Sequence, residues 1–298
     1  MDTANRIQFK KPNLPELIRQ YTVVDLHFHT HYSDGNNSIE EIAKRSRELG
    51  IGVAITDHNE IKGAVEIDSY NDILSIPGIE ITSKEGTHIL VYFYDIKSLK
   101  RFYKNDVKPF LGDTVMSSTS LEMEEIIKRA RAFKAVTVFA HPYSPVFTGI
   151  YNSYFPEERL NRLFKVIDGV EAINSGNLKK WNLKCALLGF NLNKAITGGS
   201  DGHTLVCLGK VVCYAQCKNT RKAFLDAVRK KQNKVIGKEI SMLRKVTSNG
   251  RKIRTSFKNY PDLVEKNLKY GYTVINLQSK RLKDNVKRRI NGKTSKII

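Results

Sequence analysis

The 298 residues are 41% hydrophobic, ordinary for a globular chain and too apolar for one disordered throughout. No apolar run reaches the roughly 18–20 residues that span a bilayer. The amino terminus shows no positive region followed by an apolar stretch, so a cytoplasmic protein with no membrane partner and no signal peptide is expected. The net charge of +20 is unevenly placed: residues 1–217 are nearly balanced at +1, whereas residues 218–298 carry 24 basic and 5 acidic side chains, a net of +19. Two units are expected, a globular domain over residues 1–240 and a small basic C-terminal extension over 241–298.

The elements follow in order. A β-branched strand over 22–29 (TVVDLHFH) precedes a helix in SIEEIAKRSRELG, where Ile39, Ile42, Ala43 and Leu49 recur at helical spacing before a glycine stop. A strand over 51–56 follows, then DILSIPGIEIT and HILVYFYDI, which read as a hairpin turning around Ser83–Gly86. SLEMEEIIKRARAFK reads as a helix with a serine start, acids in its first turn and bases in its last. AVTVFA, IDGVEAIN and KAITGG are further strands, separated by helices in PEERLNRLFKV and LKKWNLKCALLGF. LGKVVCYAQ, TRKAFLDAVRKK and KVIG complete the domain. Alternation over about 200 residues predicts an α/β fold, either a parallel barrel or an open sheet. Cys185, Cys207, Cys213 and Cys217 fit no zinc-ribbon or C-x-x-C spacing and are read as reduced thiols.

The seven histidines stand at the ends of these strands: His27, His29 and His31, then His58, His88, His141 and His203. Carboxyl ends of strands in an α/β fold converge on one face. Imidazoles and carboxylates meeting there need positive charge among them, which a divalent metal ion supplies. His27 and His29 point the same way because side chains on a strand alternate with period two.

The ordered series H-x-H with a downstream S-D-G, then T-D-H, G-I-E, T-H, A-H-P and S-D-x-H resembles the PHP (polymerase and histidinol phosphatase) superfamily over residues 20–237. The resemblance implies a distorted (β/α)7 barrel that holds two to three divalent metal ions (Mn2+, Zn2+ or Fe2+) and hydrolyses phosphate esters. Asp34 in S-D-G looks like the nucleotide and oligonucleotide phosphoesterase branch. Residue by residue, the resemblance implies a first metal on His27, His29, Asp201 and Glu80. It implies a second on Asp34, His58 and His203, the three assigned catalytic roles, and a third on Glu80, His88 and His141. Paired metals roughly 3.5–4 Å apart activate water and cancel charge at the phosphoryl group, so no serine or cysteine nucleophile is needed.

Other positions have two readings. Tyr143 and the aromatic loop 146–155 stack a base or pack locally, and Asn174 contacts substrate or shapes a turn. Lys179, Lys180 and Lys194 bind phosphate or are solvated cations. Gly198–Gly199 allows close backbone approach to a metal or phosphate. His31 is not used by the family, and Asp57 is expected to orient its neighbours. The expected function is metal-dependent hydrolysis of phosphate esters of nucleotides or nucleic-acid ends, with a nucleotide or nucleic acid as partner. A small-molecule phosphatase and a non-catalytic nucleic-acid-binding protein with a structural metal cluster are the alternatives, and oligomeric state stays open.

Bases interleaved with Tyr260, Tyr270 and Tyr272 suit backbone neutralisation with stacking. Deleting residues 241–298 is therefore expected to flatten the salt dependence of oligonucleotide turnover, whose slope is about −0.7 per phosphate contact on single strands. Hydrolysis of a small ester should be unchanged. Equal loss on both substrates would make the segment structural.

Overall fold

The computed structural model describes residues 6–144, 148–152 and 154–239. The extension 241–298, with Tyr260, Tyr270 and Tyr272, lies outside them, as do residues 145–147 and 153 of the aromatic loop. The described elements are β1 (Ile7–Gln8), α1 (Leu14–Leu17), β2 (Thr22–Phe28), α2 (Ile39–Leu49), β3 (Gly52–Ile55) and α3 (Lys62–Ile67). Then come β4 (Gly78–Thr82), β5 (His88–Tyr92), α4 (Ile96–Phe102), α5 (Met123–Ala132), β6 (Val136–Phe139) and α6 (Glu157–Val166). The last are β7 (Gly169–Asn174), α7 (Lys179–Asn191), β8 (Ala195–Gly199), β9 (Val211–Ala215), α8 (Arg221–Arg229) and β10 (Lys234–Gly237).

Local chemistry accounts for the helix ends. Ser38 and Glu41 form a reciprocal capping box at the start of α2, and Gly50 closes it at φ 67°, a left-handed conformation glycine adopts without strain. The helix expected to begin on a serine instead begins at Met123, with Glu122 in the cap position. The Glu125 carboxylate accepts the Glu122 N–H at 2.9 Å, so carboxylates fill the role expected of a hydroxyl.

The strands form two five-stranded sheets, ordered β1-β10-β9-β2-β3 and β4-β5-β6-β7-β8. Both are mixed: β9 runs antiparallel to β2 and β10, and β5 antiparallel to β4 and β6. The architecture is thus α/β as expected, but the described residues form no closed (β/α)7 barrel of continuous ladders. Where the sheets meet, only isolated bridges join them, His58 to Glu80 at one seam and Phe28 to Gly202 at the other. The β2–β3 ladder also shifts register between Asp25 and Phe28. These breaks fall where the backbone turns to aim histidines and acids at one rim, a common use of strand irregularity.

Two apolar layers hold the sheets. One joins Val24 and Leu26 of β2 to Leu90 and Tyr92 of β5 and Val136 and Val138 of β6, so it fills the space between the sheets. The Tyr92 hydroxyl crosses that space and donates to Leu26 O at 2.7 Å. The other joins alternate strand residues such as Val53, Ile89 and Val91 to Ile39 and Ile42 of α2 and Met123 and Ile126 of α5. The glycine pair of β8 has a packing role: a Cβ on Gly199 would lie 2.3 Å from His27 Cβ, and one on Gly198 2.5 Å from a Val235 methyl. Their close approach is to β2 and β10, not to the metal or phosphate envisaged from the sequence. It seats β8 directly behind the histidines of β2.

Candidate metal centre

The rim is built from both sheets. β2 delivers His27, and His29 directly follows its last residue; the loop after β3 delivers His58, that after β6 His141, and that after β8 Asp201 and His203. His88 opens β5, and because β5 runs antiparallel to both β4 and β6, its first residue reaches the rim that those neighbours approach with their carboxyl ends. Glu80 stands mid-strand in β4 and is the hub. Its carboxylate, 1% exposed, has nitrogens of His27, His29, His58, His88 and His141 at 3.2, 3.4, 3.2, 3.0 and 3.3 Å.

All nine expected ligands are in this cluster, and their donor atoms fall into four triplets, each within 4.8 Å: His27–His29–Asp201, His29–Asp34–His203, His29–His58–Glu80 and Glu80–His88–His141. His58 stands between two of these groups. His58 is drawn toward Glu80, its Nε2 lying 3.9 Å from Asp34 Oδ1, whereas His203 Nε2 is 2.8 Å from Asp34 Oδ2. His27 and His29 are sealed from solvent, while Asp34, Asp201, His88 and His203 keep some exposure, so the centre is open on their side.

Burial opposes charge on Asp34, Glu80, Asp201, His27, His29, His141 and His58, and the neighbours overturn it at all but His58. Burial pushes the carboxyls of Asp34, Glu80 and Asp201 up, yet the surrounding imidazoles, led by His203 at Asp34 and by His27 at the other two, hold all three well below the usual range. Burial pushes His27, His29 and His141 down, yet Glu171, Asp201 and Glu80 respectively raise them. At His58 burial wins, and the imidazole is lowered to about 3.

The donor set fits divalent ions. Nδ1 of His29, His58, His88 and His141 is buried without a hydrogen-bond partner, although His58 and His88 Nδ1 lie at contact distance from Glu80. Ring nitrogens packed among carboxylates, close but out of hydrogen-bond geometry, are what a cation shared between them organises. His141 and Asp201 also hold left-handed backbone, at φ of 28° and 49°.

Of the supporting residues, Glu171 and Asp25 had no role in the sequence reading. Glu171 of β7 is buried, with one oxygen 2.9 Å from His27 Nδ1 and the other accepting from the His141 N–H at 2.8 Å and Asn174 Nδ2 at 3.0 Å. It sets the His27 tautomer so that Nε2 faces the cluster. Its only sequence signal is a lone acid in the apolar run GVEAIN. Buried Asp25 ties β2 to the Asp201 loop by accepting from Ser200 N and Gly209 N at 2.9 and 3.0 Å. Burial lifts its carboxyl to about 6 against those hydrogen bonds. Asp57 accepts from Thr30 N, Thr30 Oγ1 and Ser33 Oγ, each at 2.7 Å, and so orients the turn that carries Asp34.

The remaining candidates are placed as follows. Asn174 is buried, and its amide also reaches Asp201 Oδ2 at 3.2 Å. Tyr143 stacks on Tyr151 at 4.2 Å. His31 is exposed, against the Tyr32 ring. Lys194 donates to Lys165 O, and Lys180 lies over the Trp181 ring. The four cysteines are free, Cys185 and Cys213 buried.

A mixed α/β fold whose strand ends gather six histidines and three acids defines a class of metal-dependent hydrolytic centres. Residues 25–172 match the family model of the PHP domain. The matched residues, just under half of the chain, form a PHP domain of the metal-dependent phosphoesterase type. It is 29% identical over 166 residues to an uncharacterized protein of Methanocaldococcus jannaschii, covering 51% of this chain and 81% of that one. Its fold is similar to that of the lesion-specific endonuclease Q of Pyrococcus furiosus, at 20% identity and a TM-score of 0.58 over 72% of this chain and 58% of that one. A complex of endonuclease Q with a 27-mer duplex substrate, an abasic lesion at its active site, matches at 19% identity and a TM-score of 0.57 over 74% and 60%. A two-domain protein of Bacteroides vulgatus containing a predicted PHP-like metal-dependent phosphoesterase matches at 16% identity and a TM-score of 0.54 over 78% and 68%.

Two outcomes are expected. Glu171→Gln keeps the side-chain shape but removes the charge behind His27, so metal affinity should fall about 10–100-fold, as for other supporting groups of metal ligands. Competition with a chelating dye measures this, and unchanged affinity would remove Glu171 from the centre. The second concerns pH. Histidines raised in the folded state contribute stability that is complete below their unfolded value of about 6.5 and is lost as pH climbs through the folded value. The lowered His58 and carboxylates act oppositely, their contribution being lost as pH falls. In chelator, the melting temperature should therefore decline as pH rises above about 6.5, and manganese, which does not titrate, should abolish the decline. A profile indifferent to manganese would contradict this.

Proposed function

We propose that this chain hydrolyses phosphate esters of nucleotides or nucleic acids with two or three divalent ions. The observation that carries this reading is the convergence of five imidazoles on buried Glu80, with Asp34, Asp201 and His203 on the solvent side. His27, His29, Glu80 and Asp201 would hold one ion, Asp34, His58 and His203 a second, and Glu80, His88 and His141 a third. Ions held there supply Lewis acidity and positive charge toward a phosphoryl group.

The protein's own work is positioning. Glu171 presents His27 Nε2 inward, and Asn174 restrains the Asp201 oxygen facing away from His29. Asp57 fixes the turn carrying Asp34, so the solvent-facing ligands are set before substrate arrives. Such preorganisation leaves little rearrangement for the reaction step. A nucleotide or nucleic-acid substrate is favoured over other phosphate esters by the basic excess of the chain and by the fold shared with endonuclease Q.

An end-labelled panel of mononucleotides, oligoribonucleotides and oligodeoxynucleotides with manganese tests the reading, with p-nitrophenyl phosphate esters as generic substrates. Hydrolysis should be abolished by exhaustive chelation. It should fall to background in Glu80→Ala and Asp201→Ala, with the circular dichroism of the folded chain retained. Activity that survives chelation would overturn metal dependence, and turnover of small esters alone would overturn the nucleic-acid assignment.

A further inference from the structure

One basic and aromatic surface beside the rim has no part in holding metal. Residues 175–194 contain four lysines and no acid. α7 opens on Lys179 and Lys180 with no acid in its first turn, and its cap residue, Leu178, offers no side-chain hydrogen bond. Lys180 and Lys184 then repeat positive charge at i and i+4. Each of these features works against the helix, because cations are unfavourable near a helix N-terminus and like charges one turn apart repel. An anion along this face would relieve all of them.

The rings are placed to complement that charge. Lys184 Nζ lies 4.9 Å from the Trp181 ring centre and 5.5 Å from that of Tyr143, and Lys180 Nζ lies 4.9 Å from Trp181. Tyr143 stacks face to face on the exposed Tyr151 at 4.2 Å and 10°. The Tyr143 N–H also bonds to Cys185, which ties this ring to the same helix. At the foot of α7, Asn177 is buried and its Nδ2 has no partner among the described residues, nor has Trp181 Nε1. The surface adjoins the centre at two points. Tyr143 follows the metal-facing His141 by two residues, and a Cβ on Gly176, three residues before Lys179, would lie 3.1 Å from Asp201 Oδ2.

We propose that Trp181, Tyr143 and Tyr151, with Lys179, Lys180 and Lys184, form a track on which a single-stranded polynucleotide lies as it enters the metal centre. The chemistry is an exchange. Ring faces now covered by ammonium groups accept a base, and the displaced lysines move to the flanking phosphates. Unpaired bases offer free π-faces for this, whereas those of a duplex are already stacked, so the occupant is a single strand. An acidic protein would use the lysines but leave the rings without a flat partner. The inference rests on the proposed nucleic-acid reading and narrows it to a polymer.

Trp181 is the only tryptophan in the chain, so its fluorescence reports on the track in the unaltered full-length protein. Titration in chelator with a homothymidine oligonucleotide should give saturable quenching that salt reverses. Inorganic polyphosphate, an anion without bases, should compete but not quench. In Lys179→Gln/Lys180→Gln/Lys184→Gln, the slope of log affinity against log salt should shrink by about two, at about 0.7 per contact. That variant should hydrolyse p-nitrophenyl phosphate esters with manganese at the unaltered rate, which also certifies its fold. Oligonucleotide binding seen by anisotropy without tryptophan quenching would overturn the track, as would equal quenching by polyphosphate or a salt slope unchanged in the triple variant. Quenching as expected, with no ester or oligonucleotide hydrolysed, would fail the catalytic reading while leaving the track standing.

Discussion

Glu80 places one demand on the rest of the molecule. An ionised carboxylate sealed from water is costly unless charges and hydrogen-bond donors surround it. Here five imidazoles do so, and they come from both sheets: His27, His29 and His58 from one side, His88 and His141 from the other. The sheets are joined at this seam by only isolated backbone bridges, so the polar cluster closes what ladder hydrogen bonds leave open.

The supporting residues explain how irregular backbone persists around it. His141, Asp201 and Asn59 all hold left-handed backbone. Each is over-determined by neighbours: the His141 N–H by Glu171, the Asp201 N–H by His27 O at 2.8 Å, and the Asn59 side chain by Val115 O and Ser117 O. Strain of this kind survives only where the surroundings hold it. Asp25 and Asp57 do equivalent work one layer further out, each gathering backbone or hydroxyl donors from the loops that carry ligands.

Charge is divided by location across the chain. Six of the seven histidines stand inside the rim with Asp34, Glu80 and Asp201, while lysines collect on α7 and in the sequence beyond residue 240. A basic approach to a metal-loaded centre draws anions inward.

Much of the centre was legible in sequence because histidine and acid types at strand ends carry their own chemistry. The spacing of His27 and His29 needs only the period of a strand to put both on one face. The strand–helix alternation likewise identified the α/β class, since burying strands between helices leaves a pattern in the residues themselves. Other features depended on partners far away in the chain. Nothing local distinguishes Glu171 from any acid in a strand until β7 is packed beside β2 and brings it to His27, 144 residues away. The same holds for the glycines of β8, whose role appeared once His27 stood against them, and for the approach of His58 to Glu80. The sequence by itself determined which atoms could bind a metal and on which element each would stand. Tertiary structure alone decided how those atoms are shared and how the seams close, because both depend on distances between strands that no local periodicity encodes.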